Sequence, residues 1–92
     1  MFIFVNTSII FMHTIFGEQL RNERKKQHLT VEKVAKACGI SRSYITLMEN
    51  GRRLPGKKNI PKIAAALKLK TGTVLNWYLE DITQKIQKDL KM

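Results

Sequence analysis

The stretch Val31–Met48, VEKVAKACGISRSYITLM, leaves this chain few ways to fold. Val34, Ala35 and Cys38 stand at the spacing of one helical face, and Ile45 and Met48 share a face three residues apart. Gly39, Ile40 and Ser41 separate the two runs. Glycine readily reaches the left-handed backbone that ends a helix, and serine caps the next one by accepting a hydrogen bond from an exposed amide. Ala35 falls where two steeply crossed helices touch, a place that needs a small side chain. The pattern predicts a helix over Val31–Cys38, a tight turn, and a second helix from Arg42 to Glu49 or Asn50.

Such a pair is a helix-turn-helix, whose second helix enters the major groove of DNA. The charge distribution agrees. The 92 residues allow one small domain, with 17 Lys and Arg against 7 Asp and Glu, a formal net charge of +10. Residues 1–17 carry no charged side chain, residues 18–79 carry 14 basic and 4 acidic ones, and residues 80–92 carry three of each. The whole excess lies on the segment with the motif, as a phosphate-binding surface requires. The single cysteine, Cys38, excludes an internal disulfide, suits a reducing cytoplasm and reads as a small buried hydrophobe. His13 and His28 are read neither as ligands nor as bases, and no metal-ligand spacing occurs. Gly-rich phosphate loops, nucleophile elbows and paired catalytic carboxylates are absent from the sequence. The expectation is a binding protein, not an enzyme, with no cofactor and no metal.

Around the motif, Ile15 to Gln27 is expected to form a first helix with Phe16 and Leu20 on one face and Arg21, Arg24, Lys25 and Lys26 toward its end. Thr30 and Ser41 are expected to cap the two motif helices. RRLPGKK, residues 52–58, reads as a loop, after which Asn59 is expected to cap a fourth helix with Pro61 in its first turn. Thr71 or Thr73 is expected to cap a fifth, running unbroken to about Lys91. The division is thus an apolar extension over 1–14, a DNA-binding domain over 15–79, and an extension of the last helix over 80–92. The opening MFIFVNTSIIFMHT is too short to span a bilayer and lacks the basic start of a signal peptide. Three readings of it stay open: it precedes a true start at Met12, it packs on the last helix, or it lies on a membrane.

From about Ile15 to Leu79 the chain resembles the phage repressor and Cro family, also called the xenobiotic-response-element family. The resemblance is carried by FGEQLRNERKKQHLT entering the motif, ISRSYITLMENGRRLP through the second motif helix, and IPKIAAALKL after it. It implies an all-α bundle of about five helices that binds operator DNA, usually as a dimer, and regulates transcription. It also implies that Arg24 pairs with Glu49. The helical wheel agrees, because with Ile45 and Met48 inward, Glu49 falls on a flank facing protein while Ser43, Thr46, Leu47 and Asn50 face out. Arg42, Ser43, Thr46 and Leu47 match the family's base-reading positions. Arg42 can donate two hydrogen bonds to guanine, and the Thr46 methyl and Leu47 can touch thymine. One departure is Val31, where members often carry a phosphate-bracing glutamine. Thr30 with the helix-start amides, together with Tyr44, Asn50, Arg52, Arg53, Lys57 and Lys58, is therefore assigned to phosphate.

Several residues have plainer readings. Leu20, Val34, Ile45, Met48, Ile63 and Leu67 are expected in the core, Trp77 and Tyr78 in packing rather than base stacking, and Lys68 and Lys70 in solvent. Leu75, Leu79, Ile82, Ile86 and Leu90 recur every three or four residues as an apolar stripe suited to dimerisation. The leading expectation is a dimeric, cytoplasmic repressor of double-stranded operator DNA. The competing one is a protein-interaction module, an antitoxin or coregulator whose essential partner is a toxin or another protein. A membrane-associated regulator is the third and rests only on the first fourteen residues.

Overall fold

Four successive helices stop in the same way, each at a residue whose backbone turns left-handed. These are His28 (φ 58°), Gly39 (68°), Gly51 (77°) and Lys68 (58°). The amide after each turn reaches back to a carbonyl five residues earlier: Leu29 to Arg24 at 3.0 Å, Ile40 to Ala35 at 3.0 Å, Arg52 to Leu47 at 2.9 Å and Leu69 to Ala64 at 2.9 Å. Leu29, Ile40 and Leu69 then fold against the core. Carbonyls that a helix end would leave unpaired are thereby satisfied, and each new helix starts at a fixed angle to the last.

The computed structural model describes residues 14–90; of the opening fourteen residues, for which three readings stand open, all but Thr14 lie outside that range. It contains α1 (Ile15–Lys26), α2 (Val31–Cys38), α3 (Arg42–Glu49), a 3-10 turn (Lys57–Asn59), α4 (Ile60–Ala66) and α5 (Thr71–Leu90), with no strand among the described residues. Thr14, Thr30 and Ser41 cap α1, α2 and α3, their hydroxyls accepting from the amides of Gly17, Lys33 and Tyr44.

Two expected caps are corrected. Asn59 does not cap α4: it sits in the 3-10 turn with helical backbone (φ −87°, ψ −14°), and its side chain makes no capping bond. A capping side chain needs an extended backbone beneath it. The last helix begins at Thr71 itself, with the amides of Thr73 and Val74 bonded to the Lys70 carbonyl, so both threonines lie inside its first turn. The left-handed turn at Lys68 and the inward Leu69 leave Lys70 at the cap position.

The core joins Phe16 and Leu20 of α1, Val34, Ala35 and Cys38 of α2, Ile45 and Met48 of α3, Ile60, Ile63 and Ala64 of α4 with Leu67 after it, and Val74 and Trp77 of α5. Trp77 meets Phe16 edge to face, with ring centroids 5.9 Å apart and planes at 74°, and Tyr78 packs beside them. Cys38 is buried, its thiol near the Lys62 carbonyl at 3.7 Å. Burial pushes that thiol up from its ordinary range, with the Lys62 charge opposing.

Gly17 sits where α1 crosses the end of α3. A methyl there would run into the Met48 carbonyl oxygen and crowd Thr14 Oγ1 and the Glu49 carbonyl. Contacts with α1 continue past Leu79 on α5. Asp81 of α5 accepts from the amides of Ile15 and Phe16, each at 2.8 Å, and Ile82 is half-buried. The folded unit therefore includes both, and only residues 83–90 of α5 are exposed throughout. Among the described residues, no helix is long and apolar enough to cross a membrane.

Candidate nucleic-acid interface

Ile45 and Met48 draw one face of α3 into the core, so the opposite face is presented outward. Arg42, Ser43 and Thr46 are exposed and Leu47 half-buried. These four side chains line one open depression of about 430 Å³. A second depression of about 460 Å³ lies along α5 between Asn76 and Gln87, away from the clustered cations.

The back of α3 is held by charge. Glu49 is buried, its side chain 4% exposed, and Arg24 at 13% clasps it with Nε to Oε2 at 2.7 Å and Nη2 to Oε1 at 2.9 Å. The third donor of Arg24, Nη1, reaches the Leu29 carbonyl at 3.0 Å. The hydrogen bond with Glu49 pushes the Arg24 guanidinium above its ordinary value, although burial opposes this. Arg21 completes the arrangement with Nη2 on Asn50 Oδ1 at 2.8 Å and Nε at 3.5 Å from Glu49. This second cation was not foreseen, although its place three residues before Arg24 on the same helical face is a readable signal. The carboxylate is thus turned into the protein, and the outer face of α3 keeps no acid of its own.

Tyr44 occupies a different place from the other assigned phosphate groups. Its hydroxyl accepts from the Gly56 amide at 3.0 Å and donates to the Leu54 carbonyl at 3.4 Å, pinning the loop after α3 from beneath. That loop carries Arg52, Arg53, Lys57 and Lys58, all exposed, and no Asp or Glu occurs from Asn50 to Leu79. Asn50 is exposed, its carbonyl taken by Arg21. Thr30 is exposed with its hydroxyl committed to the Lys33 amide at 3.1 Å, and Val31 packs against the core. At the start of α2, then, the Thr30 hydroxyl accepts from an amide and keeps its own hydrogen to donate, beside the backbone amides of the first turn.

Besides their core packing, the two motif helices are linked by an ion pair. Arg42 Nη1 lies 3.5 Å from Glu32 Oε2, with both side chains exposed. An exposed pair of this kind contributes little and yields readily to a better partner. Among the described residues, no group of three or more His, Cys, Asp or Glu is placed to hold a metal ion.

Residues 20–74 match the Helix-turn-helix family, HTH_3. A 53-residue stretch, 58% of this chain, is 42% identical to the ImmF control region 10 kDa protein of Bacillus phage phi105 and covers 59% of it. A 55-residue stretch, 59% of this chain, is 46% identical to the HTH-type transcriptional repressor RghR of Bacillus subtilis and covers 41% of that protein. The likeness therefore spans less than two thirds of either relative. In three dimensions the chain is similar to the restriction-modification controller protein C.AhdI from Aeromonas hydrophila, with a TM-score of 0.63 and 34% identity over 66% of this chain and 92% of the controller.

Proposed function

The chain belongs to the Helix-turn-helix family, and from that premise we propose that it binds double-stranded DNA in a sequence-specific way as a dimer and represses transcription by occupying an operator. The observation that carries this reading is the outer face of α3. Arg42, Ser43, Thr46 and Leu47 line one depression there, and the exposed cations Arg52, Arg53, Lys57 and Lys58 follow α3 in the chain without an intervening acid.

Placement supports a division of labour. Arg42, Ser43, Thr46 and Leu47 read base edges. Arg52, Arg53, Lys57 and Lys58, with the amides at the start of α2 and the Asn50 amide group, hold phosphates. Tyr44 serves phosphate binding indirectly, by fixing the loop. Arg24 and Glu49 hold α3 at its angle to α1. A bound dimer excludes other proteins from the same DNA, so repression needs no catalytic group and no cofactor. The relatives named a repressor and a control protein support this reading, which places the chain in the cytoplasm with the DNA it regulates.

The test is binding at several salt concentrations, followed by selection from random duplexes. If four or more cations per subunit release counterions, log K should fall against log[salt] with a slope of about −4 or steeper per subunit. The selected sites should share a consensus. A slope near zero, or steep salt dependence without any consensus, would count against specific readout.

A further inference from the structure

The first three amides of α1 are all satisfied by side chains, and two of those bonds come from the far end of the chain. Thr14 Oγ1 takes the Gly17 amide at 2.8 Å. Asp81, on α5, takes Ile15 with Oδ1 and Phe16 with Oδ2, both at 2.8 Å and across 66 and 65 positions of sequence. A carboxylate suits this place, because it supplies two acceptors and its charge complements the positive end of α1.

We propose that Asp81 is a positioning residue that sets the angle between the dimerisation helix and the recognition helix, and so the spacing of the DNA half-sites this protein accepts. The inference rests on the dimeric reading above. α1 stands between the two helices. Gly17 lets it lie directly on the final carbonyls of α3, and Arg21 and Arg24 grip Glu49 and Asn50 from the same helix. On its other side, the α1–α5 contact includes Phe16 against Trp77 and the two Asp81 bonds. Apolar packing draws the helices together without direction. The Asp81 bonds are directional, and they add to the buried Val74 and Trp77 face a specific hold on the turn of α5 about its own axis relative to α1. Asp81 stands on the face of α5 that carries Val74 and Trp77, one residue before Ile82 of the stripe assigned to the partner subunit, so a turn of α5 at Asp81 also turns that stripe. A rotation there moves the second recognition helix along the DNA.

Asp81→Asn tests this with little change of volume. An amide keeps one acceptor but turns its NH₂ against the second backbone donor, so one of the two bonds is lost. Paired half-sites with inserts of different lengths are offered to both proteins at a temperature where both are folded. Wild type should favour one spacing. The variant should keep the same base preference within each half-site and the same salt slope, while discrimination between spacings falls at least threefold. Thr14→Ala is the control, since it removes a cap from the same helix end without touching α5 and should keep the wild-type spacing. Should the asparagine variant not fold, Asp81→Glu, which retains the charge but displaces the carboxylate, takes its place. Unchanged spacing discrimination in a dimeric variant would overturn the proposal, as would an equal loss in Thr14→Ala. A wild-type protein that sediments as a monomer on single half-sites would instead remove the dimeric reading, and this inference with it.

Discussion

Arg42 and Arg53 carry the same charge, both exposed, but the proposed function gives them different tasks. Arg42 opens α3 beside Ser43 and Thr46, where a planar guanidinium can meet the two acceptors of guanine. Arg53 stands in the loop after Gly51. Arg42→Ala should cost about 1–3 kcal/mol of binding and relax preference at one base pair per half-site, whereas Arg53→Ala should weaken all sequences alike and reduce the salt slope by about one. Selected-sequence profiles of the two variants beside wild type decide between them. If Arg42→Ala keeps the consensus and loses only affinity, Arg42 is a phosphate anchor. Two glycines make a parallel contrast in stability. Gly39 has a left-handed backbone and open space around it, so Gly39→Ala should cost about 1–2 kcal/mol through conformation alone. Gly17 sits in ordinary helix but faces the Met48 carbonyl, which belongs to backbone and cannot rotate away. Gly17→Ala should therefore cost about 2–3 kcal/mol through overpacking and also disturb α3. Denaturant titration measures both, and a Gly17 variant as stable as wild type would mean that α1 can slide.

At the scale of helices, the repeated left-handed endings carry a prediction of opposite sign. Lys68 adopts φ 58° without being glycine. Such a conformation costs an L-residue about 1–2 kcal/mol, and glycine's extra freedom in the unfolded chain gives back about half of that. Lys68→Gly should raise stability by about 0.5–1 kcal/mol, seen as a melting temperature several degrees higher. No rise would mean that the lysine side chain makes up the difference. These endings also show what could be read in advance. Gly39 and Gly51 announced two turns, because glycine is the residue that takes such backbone freely. His28 and Lys68 announced nothing, since their turns are imposed by the burial of Leu29 and Leu69, a tertiary effect. Asn59 failed as a cap for a similar reason: it is the last residue of the 3-10 turn, which gives it a helical backbone. On α3, the helical period alone separated the exposed Ser43, Thr46 and Asn50 from the buried Ile45 and Met48, while Leu47, expected outward, is half-buried. The Arg24–Glu49 pair needed the family resemblance as well as the wheel. Asp81 lay beyond any local pattern, because its partners are some 65 positions away.

For the whole molecule, the question is what covers the outer side of α5. In the single chain Leu75 is 38% exposed, Leu79 45%, Ile86 51% and Leu90 79%, whereas Ile82 is half-buried. Four of the five stripe residues are therefore not covered by the described core, and a second copy of α5 would remove them from water. Its charges suit such a meeting, since residues 80–92 carry three acids and three bases. Fully burying a leucine or isoleucine stabilises by about 1.5–3 kcal/mol, so a few such residues on each copy can offset part of the entropy lost on association. The half-buried Ile82 makes a poor probe, because a charge there would damage the fold and the interface together. Leu79→Asp with Ile86→Asp avoids this and places four carboxylates in the symmetric contact. The variant should melt within a few degrees of wild type, sediment as a monomer, and bind single half-sites with unchanged base preference. On paired half-sites its affinity should fall by at least tenfold, because the second recognition helix is no longer delivered with the first. A variant that remains dimeric at micromolar concentration would move the interface to another face. One that is monomeric yet binds paired sites as tightly as wild type would show that two copies meet only on the DNA.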